Sequence, residues 1–315
     1  MNVENLYREI RGQIEQVIIG QEKVIELAMA ALFSSGHVLF EGVPGTAKTL
    51  LARTVATVLN MQFRRVQMTP DLLPGDVTGS SIYREDTHQF VFNPGPVFTN
   101  FLLVDEINRA SARTQSALLE AMQELNVTYD GRTHPLPEPF VVFATQNPIE
   151  QEGTYPLPLA QLDRFMFKII VDYPDPKAEQ RILREHHATE SSAAPATKGV
   201  QPVVDPGEII EARRIIRETF IRDEVIDYVQ CLVQATRDED ALAVGASPRA
   251  GLMLLMAAKS LGRFAGREFV TPDDVKAAFP HTMRHRVVPS ASTELEGIAV
   301  DDILEGILEA VEVPR

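Results

Sequence analysis

Cysteine, tryptophan and long apolar runs are scarce or absent in this sequence of 315 residues. The one cysteine, Cys231, excludes an internal disulfide, and such low cysteine usage is typical of a reducing compartment. No apolar run approaches the roughly 20 residues that a membrane-spanning helix needs. The segment 1–4 has neither the basic start nor the apolar centre of a secretory signal. These absences predict a soluble, cytoplasmic protein.

Positive charge is also scarce, because 30 lysines and arginines stand against 44 aspartates and glutamates, which gives a formal net charge of −14. A protein whose main ligand is a nucleic-acid backbone needs a basic face, so this balance disfavours that class. Hydrophobic residues make up 44% and charged residues 23% of the chain, as in ordinary globular proteins. The length is sufficient for roughly two domains.

One loop combines glycine, lysine and threonine in a pattern that predicts phosphate binding. An apolar run over 37–41 precedes it, and apolar residues at helical spacing follow it over 50–59. The loop reads Gly42-Val43-Pro44-Gly45-Thr46-Ala47-Lys48-Thr49. Strand, glycine loop and helix in this order are typical of a P-loop, whose backbone N–H groups and helix dipole bind phosphate. We therefore expect Lys48 to reach the β- and γ-phosphates of ATP, and Thr49 to bind Mg²⁺.

The loop departs from the general P-loop pattern at Ala47, where glycine usually precedes the lysine. Alanine is a strong helix former, so it can open the following helix if its φ is negative. Gly42 and Gly45 remain to form the tight turn and to let the backbone approach the phosphates. The alternative is a Gly/Pro turn with a chance lysine, which the flanking strand and helix disfavour.

Two carboxylates follow the apolar run over 101–104, which has the composition of a strand buried on both faces of a parallel sheet. The carboxyl ends of such strands are where α/β sheets bind ligands. We therefore predict that Asp105 holds Mg²⁺ and that Glu106 polarises the attacking water. Asn147 follows the next buried strand and can bind the γ-phosphate or that water. The alternatives are that the two acids only cap the next helix, and that Asn147 only forms a turn.

Two arginines are candidates for stabilising the charge that develops during phosphoryl transfer. Arg164 follows the last loop of the sheet region. Arg249 stands at the start of a predicted helix that Ser247 caps and Pro248 opens. Whether either arginine acts on its own subunit or on a neighbour stays open. Arg164 could instead pair with Asp163, and Arg249 could be an ordinary first-turn arginine.

The remaining pattern divides the chain into an α/β region over 1–187, a linker over 188–206 and a wholly helical region over 207–315. Turn residues between short apolar segments predict an insert near 76–98 and a hairpin near 126–139.

Two smaller features have open interpretations. The apolar segment 17–21 could contact an adenine ring or could be a buried turn between helices. Cys231 lies among the apolar positions of a helical stripe, so we expect it in the core.

The chain resembles the MoxR family of AAA+ ATPases in six segments, which follow in the family's order over nearly the full length. These segments are the loop at 42–49 with its alanine before the lysine, and those at 103–110, 144–148, 152–158, 162–165 and 247–250. The resemblance implies a P-loop AAA+ core with a five-stranded parallel sheet in the order 5-1-4-3-2, followed by a small all-helical lid. It also implies that the insert and the hairpin are the helix-2 insert and the pre-sensor-1 hairpin.

The resemblance assigns roles to the residues already singled out. It implies a Walker A motif at 42–49, a Walker B motif at Asp105 and Glu106, sensor 1 at Asn147, an arginine finger at Arg164 and sensor 2 at Arg249. Family members use ATP and Mg²⁺, resemble chaperones, form hexamers and often work with a von Willebrand factor A domain partner. We therefore expect ATP hydrolysis that drives remodelling or maturation of a protein client.

Two alternatives of other classes remain: a nucleic-acid-dependent motor of related fold, and a P-loop kinase that acts on a small molecule. The acidic composition argues against the motor. The water-positioning role of Glu106 and the helical lid with Arg249 argue against the kinase, which would transfer phosphate to a hydroxyl group.

Overall fold

The computed structural model describes residues 1–86, 88–148, 153–186 and 199–314. The first half of the chain contains helices α1 (Val3–Ile14), α2 (Glu22–Phe33), α3 (Lys48–Val58), α4 (Pro74–Thr78) and α5 (Ala112–Glu124), and strands β1 (Val38–Glu41), β2 (Phe63–Gln67), β3 (Gly79–Arg84), β4 (Gln89–Pro94) and β5 (Phe101–Asp105). A 3₁₀ turn, Ile107–Arg109, lies between β5 and α5.

The chain continues with β6 (Asn126–Tyr129), β7 (Arg132–Pro135), β8 (Val141–Gln146), α6 (Leu159–Leu162), β9 (Phe167–Ile170) and α7 (Pro176–His186). The last part contains α8 (Pro206–Arg217), α9 (Asp223–Asp238), β10 (Leu242–Val244), α10 (Pro248–Phe264), α11 (Pro272–Met283), β11 (Val288–Pro289), α12 (Ala291–Glu296) and α13 (Val300–Ala310). Among the described residues, none of the helices has the length and apolarity to cross a membrane.

Five parallel strands form the central sheet, in the order β2-β5-β8-β1-β9. Numbered among themselves, these strands read 5-1-4-3-2 from the β9 edge, so the predicted order is confirmed. Strands β5 and β8 lie inside the sheet, and their apolar residues are buried on both faces. Because all five strands are parallel, their carboxyl ends meet at one edge, which is where the phosphate loop, Asp105, Glu106 and Asn147 lie.

His37 connects three elements just before β1. The backbone N–H of Val142 donates to its Nδ1 at 3.1 Å, and its Nε2 lies 3.3 Å from the carbonyl oxygen of Met122 at the end of α5. The ring is buried, and this burial lowers the pKa of His37 to about 4. The imidazole is therefore neutral at pH 7 and acts as a fixed hydrogen-bonding link.

Two antiparallel hairpins extend from the core, one formed by β3 and β4 and the other by β6 and β7. Asp130 and Gly131 connect β6 to β7 with φ values of 50° and 71°. Two adjacent residues with positive φ form the type of turn that Asp-Gly favours, so the sequence prediction of a turn here is confirmed. The rings of Tyr83 and Phe90 pack on the first hairpin at 5.3 Å, yet Phe90 is 75% exposed.

Helices α8–α13 form the lid. Ser247 caps α10 by accepting the N–H of Ala250 at 3.3 Å, as its sequence pattern predicted. Thr271 and Asp274 form a capping box on α11. The lid is helical as expected, and it also contains a short antiparallel ladder between β10 and β11. This ladder is an addition to the all-helical prediction.

The lid and the amino-terminal helices share one hydrophobic core. Tyr7 of α1 stacks on Phe264 of α10 with ring centroids 4.0 Å apart. Ser34, which follows α2, lies 2.7 Å from Ser260 of α10 through their hydroxyl oxygens. The guanidinium of Arg213 donates to the carbonyl of Leu32 from both Nε and Nη2. These contacts fix α8 and α10 against the amino-terminal helices.

Two sequence expectations outside the site need comment. Residues 187–198, which hold most of the predicted linker, lie outside the described residues. The described part of that linker is packed, since Val200 and Val204 are buried and the N–H of Val203 bonds the carbonyl of Val58 at 3.0 Å. The expectation that Cys231 lies in the core is wrong, because its side chain is exposed. Helix α9 turns Cys231 outward while neighbouring positions of the stripe face inward.

Candidate active site

A pocket of about 490 Å³ lies at the carboxyl edge of the sheet. Its lining includes seven of the eight residues of the predicted phosphate loop, together with Asp105, Glu106 and Asn147. The seven are Gly42, Pro44, Gly45, Thr46, Ala47, Lys48 and Thr49. Val43 belongs to the loop but does not line the pocket; its carbonyl accepts a hydrogen bond from Lys48 instead.

The loop passes close to β9, and this proximity explains Gly42. A Cβ atom at this position would lie 2.3 Å from the carbonyl oxygen of Val171, so any side chain would displace the backbone. Ala47 adopts the left-handed conformation, with φ 60° and ψ 18°. The condition of a negative φ is therefore not met: Ala47 is the residue before the first turn of α3, in a region that favours glycine.

The side chain of Lys48 is held by earlier residues of the phosphate loop. Its Nζ donates to the carbonyl oxygens of Gly42 at 2.9 Å and Val43 at 2.7 Å, and to Oγ1 of Thr46 at 3.0 Å. Partial burial lowers the pKa of Lys48, while the nearby charge of Asp105 opposes this shift. The ammonium group is thus positioned beside the first turn of α3, whose N–H groups are available to an anion.

The other end of the pocket is apolar. It is lined by Val17, Ile18, Ile19, Pro174 and Ile182. Gln21 fixes the preceding turn to the phosphate loop, because its Nε2 donates to the carbonyl of Thr46 at 3.1 Å and its side chain is buried. A pocket with an apolar end and a phosphate loop has the shape and polarity of a nucleotide. The segment 17–21 is therefore a turn with buried residues that also lines the pocket, and its contact with an adenine ring stays a prediction.

Asp105 ends β5 with its carboxylate almost fully buried. Its Oδ1 accepts a hydrogen bond from Oγ1 of Thr145 at 3.1 Å, and its Oδ2 accepts one from Nε of Arg65 at 2.6 Å. A carboxylate and the hydroxyl of Thr49 are hard oxygen donors, which suit Mg²⁺. Both line the pocket, so the residues present fit this ion together with phosphate oxygens as further ligands.

Glu106 has a left-handed backbone, with φ 55° and ψ 53°. Its N–H donates to Oγ1 of Thr145 at 2.9 Å, so the same hydroxyl orients both acids. Its Oε2 accepts a hydrogen bond from Nε2 of Gln67 at 2.8 Å and lies 3.5 Å from Arg109. A non-glycine residue held in this sparsely populated conformation is typical of functional sites, where surrounding contacts maintain the strain.

Asn147 lies immediately after β8 and lines the same pocket, with 8% of its surface exposed. The structure therefore brings the loop, the two acids and Asn147 together. In the segment 152–158, which resembles the family, Glu152 lies outside the described residues.

Arg164 and Arg249 are not part of this pocket. Both line a second cavity of about 300 Å³, which lies between the end of α5 and the first turns of α10. The Nε of Arg164 donates to Oε1 of Gln123 at 3.0 Å. The structure thus places the two arginines together, and apart from the phosphate loop of their own chain. The alternative pairing of Arg164 with Asp163 is not what the structure shows, because Asp163 is bound to Arg286.

Arg286 is a residue that the sequence did not single out, and it anchors the loop that carries Arg164. Its side chain is 1% exposed, and its Nε donates to Oδ1 of Asp163 at 2.6 Å. Its Nη1 and Nη2 donate to the carbonyl oxygens of Met166 and Asp163, each at 3.1 Å. Burial lowers the pKa of Arg286 to about 10, and the carboxylate of Asp163 opposes that shift.

The other carboxylate oxygen of Asp163 faces the lid. Ser247, the cap of α10, donates its hydroxyl to Oδ2 at 3.4 Å. One carboxylate therefore contacts both the loop of Arg164 and the helix that begins beside Arg249.

Sequence reasoning also missed Arg65 and Gln67, which bond the two acids. A signal for them exists, because side chains two apart on a strand share a face, and β2 pairs with β5 so that Gln67 is opposite Asp105. To use this signal, one must know the strand order and the register of β2 against β5, because the sequence of β2 alone does not show which strand lies beside it.

Comparisons with known proteins find relatives over most of the chain. The profile of the ATPase family associated with various cellular activities (AAA) matches residues 37–167, and the AAA lid domain profile matches residues 234–307. Chaperone MoxR1 of Mycobacterium tuberculosis is 43% identical over 312 residues, which are 96% of this chain and 81% of that protein. Protein MoxR of Methylorubrum extorquens is 31% identical over 322 residues, with 96% and 93% of the two chains covered.

Among solved structures, a candidate ATPase from Cytophaga hutchinsonii, determined at 2.00 Å, is similar over 99% of this chain and 96% of its own. The TM-score is 0.91 and the sequence identity is 40%.

Proposed function

This chain belongs to the MoxR family of AAA+ ATPases and hydrolyses ATP, and we propose that it uses hydrolysis to remodel or mature a protein client within a ring of identical subunits. The observation that carries the proposal is the division of the predicted machinery between two cavities. The phosphate loop, Asp105, Glu106 and Asn147 share one, while Arg164 and Arg249 share the other.

In the first cavity, Lys48 and the N–H groups of the phosphate loop bind the phosphates of ATP. Thr49 and Asp105 would hold Mg²⁺, which neutralises phosphate charge when bound. Glu106 orients and polarises the attacking water, and Asn147 bonds the water or the γ-phosphate. The apolar residues 17–19 pack against the base.

The position of two arginines in the second cavity supports the proposal of a ring. Arg164 and Arg249 are cations that suit a phosphate under attack, but their own subunit's loop lies in a different cavity. A neighbouring subunit can supply the nucleotide that they contact if its first cavity faces this second one. Such head-to-tail contacts close into a ring when the rotation is correct. We propose a hexamer, the size that the family resemblance implies.

The partners follow from the resemblance and from one exposed surface. The hairpin of β3 and β4 is the surface that would contact a client. Its side chains Phe90 and Tyr83 are 75% and 51% exposed, although aromatic side chains usually pack inside a protein. A von Willebrand factor A domain protein is the proposed partner, and the cytoplasm is the proposed location.

The water-positioning role is tested with Glu106→Gln, which keeps the size of the side chain and removes its basicity. We expect unchanged ATP affinity and hydrolysis slowed by about 100-fold or more. Glu120→Gln, at an exposed position of α5, is the matched control and keeps normal turnover. Normal turnover in Glu106→Gln would reject the role. Turnover of the wild type measured with DNA, with protein clients and with small-molecule acceptors separates the remodelling function from the motor and the kinase.

The ring is tested by mixing two inactive variants. Lys48→Ala lacks nucleotide binding but retains Arg164, whereas Arg164→Ala binds nucleotide but lacks the arginine. If the arginine acts across an interface, mixed rings contain some complete sites, so the mixture regains measurable turnover. The matched control, exposed Arg222→Ala, is active alone. Failure of the mixture to recover, with both variants folded and assembled, would contradict action between subunits.

A further inference from the structure

Both acids of the proposed hydrolytic centre are bonded to side chains from the last residues of β2. Arg65 donates from Nε to Oδ2 of Asp105 at 2.6 Å, and from Nη2 to Oε1 of Gln67 at 3.1 Å. Gln67 in turn donates to Oε2 of Glu106 at 2.8 Å. One guanidinium therefore contacts the first acid directly and the second acid through a glutamine.

The electrostatics of the pocket explain why a cation is needed there. The side chain of Asp105 is 9% exposed, and a buried carboxylate without a nearby positive charge is strongly disfavoured. Lys48 also lies in the pocket, but its ammonium is bonded to three oxygens of the phosphate loop. Within the part of the chain that the structure describes, Arg65 is the cation that contacts this carboxylate.

Arg65 is also free to leave. Its side chain is 47% exposed, so the guanidinium can be hydrated once it separates from Asp105. Oδ1 of Asp105 already accepts from Thr145, and Oδ2 is the oxygen that Arg65 covers. A divalent cation that binds Oδ2 would therefore have to displace the guanidinium of Arg65.

We propose that Arg65 is the resident counter-cation of Asp105 and that it competes with the divalent metal for this carboxylate. The inference rests on the proposed role of Asp105 as the metal carboxylate. When Arg65 leaves Asp105, it also gives up its hydrogen bond to Oε1 of Gln67. Arg109, at 3.5 Å from Glu106, then remains as the charged neighbour of that acid.

The test measures binding in the full-length protein, not turnover. Binding of a fluorescent ADP is titrated with Mg²⁺ for the wild type, Arg65→Met and Arg65→Lys, and is repeated in excess EDTA. Arg65→Met removes the charge and keeps an unbranched side chain, so we expect half-maximal Mg²⁺ enhancement at a concentration about three- to tenfold lower. Affinity for ADP in EDTA stays within about twofold. Arg65→Lys keeps a cation and stays close to the wild type.

Arg64→Met is the matched control, because Arg64 is the preceding residue of β2 and is also exposed. It should leave both titrations unchanged. An Mg²⁺ midpoint in Arg65→Met that equals or exceeds the wild-type midpoint overturns the proposal. A loss of ADP affinity in EDTA also overturns it, because Arg65 would then be a phosphate ligand.

Asp105→Asn separates this proposal from the function on which it rests. If Asp105→Asn binds ADP with the Mg²⁺ dependence of the wild type, Asp105 does not hold the metal and both proposals fail. If Asp105→Asn loses that dependence while Arg65→Met leaves the midpoint unmoved, only the role of Arg65 is refuted.

Discussion

Asp163→Ala should destabilise this protein far more than an ordinary loop substitution. It leaves the guanidinium of Arg286 in a site where 1% of the side chain is exposed, without its carboxylate partner. Removing one member of a buried ion pair typically costs about 3–5 kcal/mol. Asp163 is itself 22% exposed, so water can partly replace it, and we expect the lower end, about 3 kcal/mol. That loss lowers the ratio of folded to unfolded protein by roughly 150-fold.

The assay is urea unfolding at pH 7. If m is about 3 kcal/mol/M, the midpoint falls by roughly 1 M. Asp172→Ala is the matched control, since Asp172 is exposed in a nearby loop, and it should change stability by no more than about 0.5 kcal/mol. The double variant Asp163→Ala, Arg286→Met removes the stranded charge and should regain part of the loss. A cost below about 1 kcal/mol for Asp163→Ala, or a double variant less stable than the single one, would refute this explanation.

Three further predictions concern the loop and the buried histidine. Ala47→Gly should raise the free energy of unfolding by about 0.5–1 kcal/mol, because glycine adopts a φ of 60° without strain. The melting temperature should rise accordingly, and a lower one would contradict this. Gly42→Ala should abolish nucleotide binding, since its Cβ would lie 2.3 Å from the carbonyl of Val171, and wild-type affinity in a fluorescent ADP titration would disprove the clash. The pKa of His37 is lowered to about 4 in the folded protein, so unfolding takes up a proton between this value and about 6.5. Its contribution to stability is complete above pH 6.5 and is lost as the pH falls, by about 2 kcal/mol at pH 5. Urea midpoints from pH 7 to pH 5 should therefore fall less steeply in His37→Gln, and an equal slope would exclude His37 as the source.

The sequence was informative where the chemistry is local. The phosphate loop, the acids after β5 and the Asp130–Gly131 turn each depend on residues that are adjacent in the chain. The strand order came from the resemblance to a known family, and the structure confirms it. Ala47 shows the limit of a propensity argument, because the loop geometry imposes a positive φ that helix preference does not reveal.

Contacts between distant residues could not be read from the sequence. Arg65 reaches Asp105 only because β2 and β5 are neighbours, and Arg286 reaches Asp163 across 123 positions of the chain. The stripe around Cys231 had helical periodicity, but periodicity alone does not locate the edge of a buried face, and this residue lies outside it. The residues that restrain the candidate site are therefore the ones that needed the structure.

The stacking of Tyr7 on Phe264 has a mechanical consequence. The first helix and the lid pack tightly together at this contact, so the two should move as one unit. An ATP-driven movement would then occur between neighbouring subunits. Movement of the lid away from the first helix would have to separate the stacked rings of Tyr7 and Phe264.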